Sequence, residues 1–97
     1  MSESDARSTV TLRSRRPPGS ATPLTDENVR RIVISSVEGI AERMGIPLLA
    51  VESDEDSVTL TVAAPQLVAM SFAAELRRVT DRWHRTKFGT PIWSDRP

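Results

Sequence analysis

The chain has 97 residues, 38% of them apolar, and thirteen basic side chains balance thirteen acidic ones. That length allows one small domain with a thin core, and the charge balance removes any whole-chain pull on DNA, RNA or an anionic membrane. With no cysteine and a single histidine, His84, disulfides, thiolate metal sites, cysteine nucleophiles and multi-histidine metal sites within one chain are all excluded.

The N-terminus lacks the apolar run of a secretory signal, and no stretch approaches the roughly 20 apolar residues of a membrane span. A cytoplasmic location without membrane contact is therefore expected. Twelve arginines stand against one lysine, Lys87, a bias that points to a GC-rich, bacterial genome. The four glycines, at 19, 39, 45 and 89, are isolated. They form no phosphate-cradling loop, and no cofactor is expected.

Residues 1–23 hold three of the seven prolines, many Ser and Thr, and only Val10 and Leu12 as sizeable aliphatics. Such a segment buries too little apolar surface to offset its ordering entropy, so a disordered tail is expected. Its Arg13, Arg15 and Arg16 keep a tail soluble. In a sharper reading they form a basic arm that settles on a phosphate backbone.

Residues 24–93 read as a single α+β domain in the order helix, β-hairpin, helix, with 94–97 as a C-terminal tail. Thr25 suits the N-cap of the first helix, Asp26 and Glu27 its first turn, and Leu24 and Val29 a hydrophobic staple. Val29, Ile32, Val33, Ser36, Val37, Ile40 and Met44 then repeat at about 100° per residue. Gly45 suits a left-handed C-terminal cap and Pro47 stops the helix. Val58, Leu60 and Val62 alternate with Thr59 and Thr61, the pattern of a half-buried strand. Leu49 and Val51 would supply the inward face of its neighbour, with Ser53–Asp56 as the turn. The acidic cluster Glu52, Asp54, Glu55 and Asp56 lacks the spacing of a calcium loop and reads as a solvated turn.

Pro65 opens the second helix. Val68, Phe72, Leu76, Val79 and Trp83 form its apolar stripe, and Gly89 ends it. A hairpin alone is a marginal sheet. A third strand from residues 90–94, a dimer joined edge to edge, or a larger partner would complete it, and the last two are favoured.

RRVTDRWHRTKFG, residues 77–89, concentrates basic side chains, but a helix scatters them. Val79 and Trp83 join the core stripe, Arg82 and Lys87 flank it, and Arg77 and His84 point to water. Leu67, Met70, Ala74 and Phe88 form a second apolar side, rimmed by Arg78 and Arg85. Two apolar sides on one helix require two covers. Ile92 and Trp93 either fold back on the core or anchor a partner.

These features favour a non-enzymatic accessory or adaptor protein that forms a homodimer or docks on a larger partner. Leu67, Met70, Arg78, Arg85 and Trp93 would make the contact. The alternative is nucleic-acid binding through Arg13, Arg15, Arg16, Arg82 and Lys87. An enzyme ranks third, because His84 with Glu75 or Asp81 is the only acid–base set on offer.

Overall fold

A computed structural model describes residues 6–16, 18, 19 and 21–94. In chain order the elements are β1 (Ser8–Arg13), α1 (Glu27–Met44), β2 (Leu48–Ser53), β3 (Ser57–Val62) and α2 (Gln66–Phe88). The expected α+β class and the helix–hairpin–helix order hold, and one strand is added in front. The sheet is antiparallel with order β1-β3-β2.

β3 is the central strand, and its alternation shows why. Val58, Leu60 and Val62 are completely buried beneath the helices, while Thr59 and Thr61 face the other way. The turn into β3 is built by Asp54, whose carboxylate accepts from the amides of Asp56 at 2.7 Å and Ser57 at 2.8 Å. These two bonds hold the Asp54 carboxyl below its usual pKa, with a smaller push from the charge of Arg13.

β2 departs from expectation in one position. A register shift between Leu48 and Ala50 makes Leu49 the extra residue of a bulge. Leu48 and Val51 consequently pack against the core, and Leu49 stays exposed.

β1 lies within the segment expected to be a tail, so residues 8–13 correct that expectation; residues 1–5, 17 and 20 fall outside the described residues. Ser8, Val10 and Leu12 turn inward, and Thr9, Thr11 and Arg13 turn outward. The Thr9 and Thr61 hydroxyls meet at 3.2 Å, and those of Thr11 and Thr59 at 3.1 Å. The composition of residues 1–23 is that of a disordered chain, but a strand needs only a short alternating run and a neighbour to pair with. The third strand thus comes from the chain's own N-terminal segment. Residues 90–94 make only a bridge, Trp93 opposite Ser14.

α1 packs along α2 and over β2, and α2 packs over β1. Pro23–Thr25 wind a turn of 3-10 helix, so the cap of α1 moves one residue on from Thr25 to Asp26, whose carboxylate accepts from the Asn28 amide at 2.8 Å. Leu24 and Val29 are both buried, as a staple requires. Gly45 ends α1 and Gly89 ends α2, each with positive φ. Val29, Val33, Val37 and Ile40 face the core, whereas Ile32 and Met44 stand at its exposed margin. No helix among the described residues is long and apolar enough to cross a membrane.

Candidate interaction surface

The buried side of α2 is rotated from the stripe read in the sequence. Ala69, Phe72, Ala73, Leu76, Thr80 and His84 are buried, Val79 and Trp83 are only partly covered, and Val68 is exposed. In the first turns α2 lies over β1, with Ala73 beside Val10 and Leu12; in the last turns the chain after Gly89 folds back and covers a flank that a lone helix would leave wet. Thr80 accepts from the Trp93 indole N–H at 2.9 Å. One carboxylate oxygen of Asp81 accepts from the amides of Ile92, at 2.7 Å, and Trp93. Arg77 donates to the Ser94 carbonyl.

This return changes three residues, the first being Arg77, expected in water but half-buried against the Ser94 carbonyl. His84, expected in water, is 5% exposed; its Nδ1 faces the Thr90 carbonyl and its ring lies 4.6 Å from that of Phe88. Trp93, named as a partner anchor, is 1% exposed and belongs to the core. It is therefore removed from the partner-binding set.

The acid–base set does not assemble. Glu75 is held by Arg78 at 2.8 Å and Arg43 at 3.0 Å, and the hydrogen bond from Arg78 keeps its carboxyl below the usual pKa. Asp81 is occupied by the returning backbone, and His84 faces a carbonyl.

The basic residues named for nucleic acid separate in space. Arg13 and Arg16 share a groove with the acidic Asp56, which pairs with Arg16 at 2.9 Å. Lys87 lines a different groove with Trp83 and Phe88. Arg82 is exposed on α2, and Arg15 is partly buried, with its Nε lacking a partner among the described residues. No single basic face results.

Of the apolar residues read on the second side of α2, Met70 and Ala74 share a groove, Leu67 stands one turn from Met70, and Phe88 lies apart, in the groove with Trp83 and Lys87. Leu67 is 77% exposed and Met70 is 56% exposed, on the side of α2 turned from the core. Beside Met70 lies a groove of about 330 Å³ lined by Val10, Thr11, Leu12, Met70, Ala73, Ala74 and Arg77. Arg78, paired with Glu75, and Arg85 are exposed on α2. The β1 half of this groove was missed. Its signal was present as the alternation of Ser8, Val10 and Leu12 with Thr9, Thr11 and Arg13, and it was outweighed by the surrounding Pro, Ser and Arg.

No protein-family model matches the chain, and no curated protein is similar to it in sequence.

Proposed function

We propose that this domain is a non-enzymatic accessory module that acts by binding another protein through the outer side of α2 and the adjoining edge of β1. One observation carries the reading: Leu67 and Met70 stand exposed next to an apolar groove. Exposed leucines scattered singly are ordinary. Neighbouring ones that continue into a groove, with arginines at the border, have the composition of a binding patch. The engagement of His84, Glu75 and Asp81 in structural contacts supports a non-catalytic role.

The test is site-specific photo-crosslinking in the native cell. A photoreactive residue at position 67 is expected to give a discrete adduct, and one at Arg31, on the exposed side of α1, none. Equal labelling at both positions, or none at 67, contradicts the reading.

A further inference from the structure

Resting on that reading, we propose that the partner is bound as an extended segment alternating apolar with acidic side chains, which adds a strand to the open edge of β1. Three observations converge on this occupant.

The first is the direction of the β1 backbone. In an antiparallel pair each residue turns both its N–H and its C=O to the same side, and successive residues alternate. The Ser14 amide donates to Asp56 on the β3 side at 2.7 Å, while the Arg13 carbonyl accepts from Ser94 on the opposite side at 2.9 Å. Counting back, Thr11, Thr9 and Arg7 turn their peptide groups to that opposite side. Among the described residues β1 has no neighbouring strand there, because the sheet ends with it. The close Thr9–Thr61 and Thr11–Thr59 hydroxyl contacts agree, since facing side chains approach most closely at the pairs that do not exchange backbone hydrogen bonds. Unpaired edge groups of this kind are a template for another strand.

The second observation is the groove. A strand laid beside β1 turns every other side chain toward α2, where Met70, Ala73 and Ala74 form an apolar floor against Val10 and Leu12. The small alanines leave room for branched aliphatic side chains.

The third is charge. The remaining side chains of an added strand lie on the helix-free face, opposite Arg7 and Thr9 and as far as Thr11, one pair short of Arg13, whose own edge Ser94 takes. Arg7 and Arg13 are exposed, and neither forms an ion pair among the described residues. An acidic side chain opposite Arg7 completes a cross-strand pair of opposite sign, and one opposite Thr11 lies on the diagonal to Arg13.

A second copy of β1 fits poorly. Antiparallel self-pairing centred on Thr9 stays within the open stretch but sets Arg7 of each copy opposite Thr11 and supplies no acidic side chain to either arginine. Self-pairing centred on Val10 sets Arg7 of each copy against Arg13 of the other. The register centred on Val10 also needs the edge beside Arg13, which Ser94 already takes. The open stretch runs only from Arg7 to Thr11, so the occupant is a short segment.

The test uses fluorescence anisotropy on the full chain with two short labelled peptides, one alternating valine with aspartate and one alternating valine with lysine. The acidic peptide is expected to bind about tenfold more tightly, a difference of about 1.4 kcal/mol, and to weaken as salt is raised. Thr11→Pro removes an outward N–H while leaving the β3 ladder intact, which proline tolerates on an edge, and it is expected to abolish binding. Should that variant fail to fold, the acidic peptide N-methylated at alternate residues serves instead, and it is expected not to bind the unaltered protein. Equal affinity for the two peptides, no binding of either, or binding that survives edge blocking overturns strand addition. Crosslinking at position 67 persisting alongside such a result leaves the docking surface standing and removes only the extended-segment partner.

Discussion

The indole N–H of Trp93 donates to the hydroxyl of Thr80 across 2.9 Å, and both side chains are fully buried. The same hydroxyl donates to the Leu76 carbonyl at 2.6 Å. One threonine thus serves as acceptor for the returning chain and as donor within its own helix. Thr80→Val preserves the shape and deletes the acceptor, leaving the indole N–H buried without a partner. A loss of about 1–3 kcal/mol is expected in urea unfolding. Adding Thr80→Val to Trp93→Phe is expected to cost less than Thr80→Val alone, because the stranded donor is gone.

β1 is an integral strand of the sheet, so truncating its inward side chains carries a core penalty. Leu12 is buried opposite Val58. Leu12→Ala is expected to destabilise the protein by about 2–5 kcal/mol, whereas Thr9→Ala on the outer face costs far less. Equal, negligible effects of the two substitutions would contradict a paired β1.

Two carboxyls make stability depend on acid. Hydrogen bonds from the Asp56 and Ser57 amides hold Asp54 below its ordinary pKa, and the bond from Arg78 does the same for Glu75. A depressed folded-state pKa contributes stability that is present above the unfolded value, near pH 4, and is lost as pH falls through the folded value. Thermal melts of the parent and of Asp54→Asn are therefore expected to differ most near neutrality and to converge as pH falls below the ordinary carboxyl range. The partners of Glu75 are well exposed, so Glu75→Gln is expected to show the weaker trend of the same sign.

The docking side chains contribute little to folding. Leu67 and Met70 are largely solvated, and Leu67→Glu and Met70→Glu are expected to change stability by no more than about 0.5 kcal/mol each. Circular dichroism melts check this, and a large loss would place these residues in the core.

The hairpin, both helices and both glycine caps are legible in the sequence because each rests on a local rule. Alternation marks β3, helical periodicity marks α1, and a positive-φ glycine followed by proline marks the ends. What is not legible is set by contacts distant in sequence. β1 exists because β3 offers it an edge, against the composition of its own neighbourhood. Leu49 points outward because of a bulge that alternation alone does not reveal. His84 is buried because residues 90–94 double back over α2, a cover that a helical projection omits. The same return takes Trp93 out of the interaction surface. Leu67 and Met70 stay in it, because nothing in the described chain comes back to cover them.

The docking claim is tested most directly by affinity capture from the native cell with two baits, the unaltered chain and the Leu67→Glu/Met70→Glu double variant, both verified as folded. A protein retained in near-equal amount by the unaltered chain and lost by the double variant is the predicted result. Retention of the same proteins in the same amounts by both baits would contradict it.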